Sequence, residues 1–188
     1  STSVKSGQFN FKGMSATPQI SYMQVEGVNG YVLTILENGT INADIYKDSI
    51  TKSKVFGTKS NDDFIKYKSE TKVLVDDMNS ISFAAQDAIM NGDLETASEL
   101  EKDYNKIQQE VLLYEWGFIT DNLDSYMSGL LLEVFMVENK VNKDSIIDVY
   151  ESLSNRIKVS DVGKNIADLL VQYSDPIEVG ELAPDFTG

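Results

Sequence analysis

Residues 61–92, NDDFIKYKSETKVLVDDMNSISFAAQDAIMNG, decide the architecture of this chain. Phe64, Tyr67, Thr71, Leu74, Met78, Ile81, Ala85 and Ala88 recur alternately three and four residues apart, the period of a helix that buries one narrow seam. Gly92 stops that helix, and Asp93 offers a side-chain acceptor to the start of the next. The second segment repeats the spacing at Ala97, Leu100, Tyr104, Ile107, Val111, Tyr114 and Phe118. Two such seams joined by Asn91-Gly92-Asp93 predict a long antiparallel helical hairpin. Arms of roughly 25–30 residues would each span about 40 Å. Thr71 is the one polar position in the first seam.

Downstream, three further helices are predicted. Residues 126–138 are apolar nearly all round (Met127, Leu130, Leu131, Leu132, Val134, Phe135, Met136, Val137), which predicts a central helix with Asp124 or Ser125 as its cap. Asn142 suits the cap of a helix over 143–157, with Ile146, Val149, Tyr150, Leu153 and Ile157 on one stripe. Ser160 suits the cap of another over 161–173, with Val162, Ile166, Leu169, Leu170 and Tyr173 inward, and Asp175-Pro176 ends the helical region.

Upstream, the period falls to two. Lys5-Ser6-Gly7 reads as a hairpin turn after Val4, followed by Phe9 and Phe11 alternating with polar residues. Pro18 opens a strand over 19–26, and Gly27-Val28-Asn29-Gly30 turns into a strand over 31–36. Asn38-Gly39 carries the strongest two-residue hairpin signal, returning along 40–46 with Ile41, Ala43 and Ile45 on one face. A last strand over 51–56 stops at Gly57. The expected class is α+β: an N-terminal antiparallel β-sheet or small sandwich over residues 1–57, then a helical bundle over 58–175 containing the long antiparallel hairpin, then a tail over 176–188.

Charge divides the chain at the same place. Residues 1–60 hold six lysines against Glu26, Glu37, Asp44 and Asp48, a balance of +2, so the remainder carries −16 of the net −14. An acidic surface repels phosphate backbones and anionic headgroups, which argues against nucleic acid and membrane surface as partners. The most apolar run, residues 130–137, is interrupted by Glu133 and falls far short of the ~20 residues a spanning helix needs. Zero cysteines remove thiolate chemistry and disulfides; zero histidines remove the commonest general base and zinc ligand.

Several residues invite a sharper reading. The carboxylate pairs Asp62/Asp63 and Asp76/Asp77 have the chemistry to ligate a cation or share a proton. The plainer reading puts the first pair at a helix start, where negative charge suits the macrodipole, and the second in solvent. Asp121-Asn122-x-Asp124-Ser125 groups oxygen ligands but lacks the Gly and closing Glu of a calcium loop, so a helix–helix turn with a cap explains it. Trp116 with Tyr114 and Phe118 would make a sugar platform if exposed and a core if buried; Tyr22, Tyr31 and Tyr46 would make a ligand patch or an ordinary sheet face. Nothing singles out a pair of carboxylates for glycosidase chemistry. The expectation is no catalytic residue, no cofactor-binding residue and no metal ligand in this chain.

The chain as a whole resembles a domain of unknown function that forms the N-terminal part of envelope-exposed thiol–disulfide oxidoreductases in Bacteroides-like bacteria. The resemblance is carried by Val4-Lys5-Ser6-Gly7-Gln8-Phe9-Asn10-Phe11-Lys12-Gly13, Pro18, Leu36-Glu37-Asn38-Gly39, Val55-Phe56-Gly57-Thr58, Asn61-Asp62-Asp63-Phe64 and Asn122-Leu123-Asp124-Ser125. The tail string Gly180-Glu181-Leu182-Ala183-Pro184-Asp185-Phe186 resembles the lead-in to thioredoxin-like modules of the redoxin and peroxiredoxin type. The resemblance implies that residues 176–188 link into such a module, with its Cys-x-x-Cys beyond Gly188. It also implies a periplasmic or outer-surface setting in the cell envelope, membrane attachment only through an anchor outside this sequence, and an N-terminal sheet lacking its first strand or two. The expected role is a non-catalytic accessory region giving spacing, docking or oligomerisation to the downstream module. The alternative is a stand-alone ligand- or partner-binding envelope domain. An open sheet edge and the heptad seams also suit a homodimer.

Overall fold

The structure, a computed structural model, describes residues 1–174. Asp175-Pro176, the predicted linker and the tail string lie outside the described residues, as does the side chain of Tyr173. Four short strands, β1 (Gln19–Met23), β2 (Val32–Leu36), β3 (Asn42–Asp44) and β4 (Lys54–Phe56), precede the helices α1 (Lys59–Met90), α2 (Leu94–Asp121), α3 (Tyr126–Val137), α4 (Lys143–Ser152), α5 (Asn155–Lys158) and α6 (Asp161–Ser174). The α+β order is as expected.

The helical hairpin follows the seam residue for residue. Phe64, Tyr67, Thr71, Leu74, Met78, Ile81, Ala85 and Ala88 are all withdrawn from solvent, and so are Ala97, Leu100, Tyr104, Ile107, Val111, Tyr114 and Phe118. Thr71 is tolerated in the seam because its Oγ1 donates back to the Tyr67 carbonyl at 2.8 Å. Ala85, Ala88 and Ala97 narrow the seam toward the turn, so the two backbones can approach closely where large side chains are absent. Gly92 takes φ 76°, and Asp93 caps α2 by accepting from the Thr96 N–H at 3.1 Å.

Helix α3 is the centre of the bundle. Tyr126, Met127, Leu131, Leu132, Phe135 and Met136 are buried in one cluster with Phe118 and Ile119 of α2, Ile146 and Val149 of α4, Leu153, Ile157 of α5, and Val162 and Ile166 of α6. Fully burying a side chain of this kind contributes about 1.5–3 kcal/mol. Asn142 caps α4 through the Ser145 N–H at 2.9 Å, and the Ser160 hydroxyl faces the Gly163 N–H of α6 at 3.4 Å.

Three expectations are corrected. The predicted helix over 143–157 breaks after Ser152: Leu153 leaves helical geometry at ψ 145° and the Ser154 N–H donates to the Leu123 carbonyl at 3.0 Å. Ser125 is the N-cap residue of α3, as expected, but its side chain makes no cap hydrogen bond, and Asp124 turns toward Ser154 and Arg156.

The third concerns the strands. The N-terminal β region is antiparallel as expected, built as two pairs, β1 with β2 (Ile20 opposite Ile35) and β3 with β4 (Ala43 opposite Val55), but its strands do not pair as predicted. Lys5 and Gln8 form the predicted tight turn, bonded both ways at 2.8 and 2.9 Å around Ser6 and Gly7 at positive φ, but Phe9 and Phe11 do not continue into a strand. Asn38-Gly39 does not close a β2–β3 hairpin. The Asn38 side chain is drawn to the backbone of Ser15, and β2's free edge is taken by a side chain from α1.

Candidate functional site

That side chain belongs to Asn61, one turn into α1. Its Oδ1 accepts from the Ile35 N–H at 3.0 Å and its Nδ2–H donates to the Ile35 carbonyl at 2.7 Å, so the carboxamide stands in for a neighbouring strand. In an Asn38-Gly39 hairpin, residue 42 would have made those bonds. The second Nδ2 proton reaches Thr58 Oγ1 at 2.8 Å, leaving the buried amide satisfied. Ile35 is fully buried in the same cluster as α3, so sheet and helices share one core.

Beside Asn61, Glu37 caps α1 from outside the helix. Its Oε1 accepts from the Ser60 N–H and its Oε2 from the Ser60 hydroxyl, each at 2.8 Å, which places a carboxylate on unsatisfied amides at the positive end of the macrodipole. Arg156, the chain's only arginine, closes the cluster from α5. Its Nη1 lies 2.6 Å from Glu37 Oε2, its Nη2 donates to the Asp124 carbonyl at 2.7 Å, and its Nε faces Asp124 Oδ1 at 3.4 Å. Ser154 donates to the same Asp124 carboxylate at 2.6 Å. The break between α4 and α5 is what delivers Ser154 and Arg156 to this junction.

Burial alone would raise the Glu37 pKa. The Ser60 N–H and hydroxyl, Thr58 and the Arg156 charge outweigh it, so the carboxyl sits below its ordinary 4.5. Asp124 is likewise lowered: burial opposes, but Ser154 and Arg156 prevail. A carboxyl whose pKa is lower in the fold adds stability that is present above the unfolded pKa and lost as pH falls through the folded one. The stability gap between the wild-type chain and Glu37→Gln is therefore expected to be largest near pH 7 and to shrink below about pH 4.5. Urea unfolding at pH 7 and at lower pH measures it; a gap independent of pH would remove Glu37 from the junction's energetics.

A second polar cluster ties the hairpin's base to the bundle. The Tyr67 hydroxyl donates to Glu115 at 2.6 Å, and burial, then the Glu115 hydrogen bond and charge, push its pKa well up. Lys140 lies 3.9 Å from Glu115 and over the Phe135 ring at 5.2 Å.

The residues singled out from sequence fall into structural places. Asp62 accepts from the Gly57 N–H at 2.9 Å, Asp63 pairs with Lys59 at 3.2 Å and Asp76 pairs with Lys72, while Asp77 is exposed. Trp116 stacks on Phe135 at 5.6 Å, and Phe118 packs edge-on to Tyr67, which makes this aromatic group core. Tyr22 and Tyr31 meet edge to face at 4.7 Å on the surface; Tyr46 is exposed as well. A surface depression of about 360 Å³ is lined by Asp62, Ile65, Lys66, Ser69 and Glu70 of α1 alone, so no second element closes over it. Among the described residues no group of three or more acidic, histidine or cysteine side chains is placed to hold a metal ion, and no helix is long and apolar enough to cross a membrane. Sequence reasoning missed Glu37, Asn61 and Arg156 as partners; a solitary arginine beside fifteen lysines was the available signal.

Residues 1–64 match the model of a family described as a domain of unknown function (DUF4369). The matched span takes in both strand pairs, Glu37, Ser60 and Asn61, while Arg156 lies outside it. No curated protein and no solved structure matches the chain.

Proposed function

We propose that this chain is a non-catalytic accessory region of an envelope thiol–disulfide oxidoreductase, which positions or docks a thioredoxin-like module encoded beyond Gly188. The observation that carries this reading is the hairpin. Among the described residues the core cluster draws on α1 only at Phe64 and Tyr67 and on α2 only at Leu112, Tyr114, Trp116, Phe118 and Ile119. The arms between them pack on each other and on no further part of that core. From Thr71 to Met90 this makes a rod of about 30 Å standing off the base. A rod on a stapled base suits spacing and contact, and a chain with no cysteine or histidine offers no thiol or imidazole to a reaction. The resemblance of residues 180–186 to a redoxin lead-in supports placing the redox module after the tail.

The reading frame past Gly188 tests this directly: a Trp-Cys-x-x-Cys should follow, and a stop codon would contradict it. In the full-length protein, deleting this region is expected to leave reduction of a small disulfide unchanged while altering partner choice or assembly. Deletion without effect on substrate choice, partner choice and assembly would overturn the proposal, as would disulfide reduction by this chain unaided.

A further inference from the structure

Exposed apolar side chains along the rod's shaft are the valines Val73 and Val75, and larger ones gather toward its end. Phe83 is 72% exposed, Ile89 58%, Met90 79% and, across the turn, Leu94 70%. All four stand outside the seam that holds the arms together. Phe83 and Met90, seven residues apart, lie on one face of α1 turned away from α2, and Ile89 and Leu94 flank the Asn91-Gly92-Asp93 turn. Helix formation does not require them, since polar residues of good helix propensity would serve a solvated surface as well. Grouped apolar side chains at the tip of a projecting element mark a contact surface.

Charge selects the occupant. Residues 73–101 carry seven carboxylates and no lysine or arginine, and every one of those carboxylates is exposed. Such a field repels nucleic acid, anionic lipid and an identical tip from a second copy of this chain. It attracts an apolar surface rimmed by lysine or arginine. From this we infer that the hairpin tip, Phe83 with Ile89, Met90 and Leu94 inside its acidic collar, docks a protein partner whose contact face is apolar with a basic rim. The inference rests on the docking role proposed above and gives it a place and a chemistry.

The test uses the whole 188-residue chain and, as probe, a synthetic helical peptide with leucines on one face and lysines on the other, alongside a glutamate-for-lysine counterpart. Amide shifts are expected to concentrate between residues 80 and 97. Affinity should fall about tenfold from low to moderate salt, and the glutamate peptide should not bind. The double variant Met90→Ser with Leu94→Ser should weaken binding about tenfold with an unchanged melting temperature, since neither side chain is buried. The inference is overturned if shifts spread over the acidic surface at large, if the variant binds as well as the parent, or if the lysine peptide does not bind. It is equally overturned by uptake onto neutral phosphatidylcholine vesicles, or by self-association that the variant abolishes. Failure here together with a clear deletion phenotype in the full-length protein would move docking to another surface; failure of both would remove the docking role.

Discussion

A single methyl group at Gly163 is expected to destabilise the fold by about 3–5 kcal/mol or to prevent folding, at the upper end of what overpacking does. A Cβ there would lie 2.2 Å from the Ile157 carbonyl oxygen and 2.6 Å from both the Cα and the carbonyl oxygen of Lys158. These are backbone atoms of α5, and backbone cannot rotate aside as a side-chain end can. Relief would require α6 to lift from α5, which withdraws Val162 and Ile166 from the core and disturbs the short segment presenting Arg156. Gly117→Ala is the internal control. It lies within α2, a Cβ there meets nothing within 4 Å, and alanine should hold or raise stability by up to about 1 kcal/mol. Urea unfolding of both variants checks the pair. Equal midpoints would mean that α5 and α6 are not packed as closely as this.

The second large effect belongs to Asn61. Asn61→Ala strands the buried N–H and carbonyl of Ile35 together and is expected to cost about 2–4 kcal/mol, more than either bond contributes when intact. Asn61→Asp should not rescue it. A carboxylate can accept from the Ile35 N–H but cannot donate to the carbonyl, and it brings a charge into a buried site. Chemical denaturation measures the loss; a cost below about 0.5 kcal/mol for Asn61→Ala would show that water replaces the amide without penalty.

Asn61 also explains what could and could not be read from the sequence. The helical hairpin was legible because its information is local: a seam recurring every three or four residues, a glycine stop and an aspartate cap lie within one continuous stretch. The centrality of α3 was legible because a helix apolar on all sides has to be covered. Strand pairing was not. Asn38-Gly39 has the chemistry of a hairpin turn, but β2's free edge is claimed by a carboxamide 26 positions away, and no local pattern announces that rival. The split of the helix predicted over 143–157 was hidden for the same reason. Tyr150, Leu153 and Ile157 keep helical spacing across the break, while Ser154 is bonded to Leu123 and Asp124 and Arg156 to Glu37, which lies 119 positions away. Side chains that look like surface polars in sequence become the staples of a junction once the fold assembles them. Of the groups that suggested chemistry, Asp62, Asp63 and Asp76 are held in a turn contact and ion pairs, Trp116 and Phe118 are core, and Asp77, Tyr22, Tyr31 and Tyr46 are exposed.

The strand region and the bundle are expected to open as one base, with the hairpin's outer half as an arm of lower local stability. Native-state hydrogen exchange on the Ile35 amide, beside amides of α3 and of residues 84–98, measures this in one experiment. The prediction is that Ile35 exchanges only through the opening that exposes Leu132 and Phe135, while residues 84–98 exchange through a smaller and easier one. Exchange at Ile35 while α3 stays protected would contradict the account, and so would an arm as strongly protected as the core.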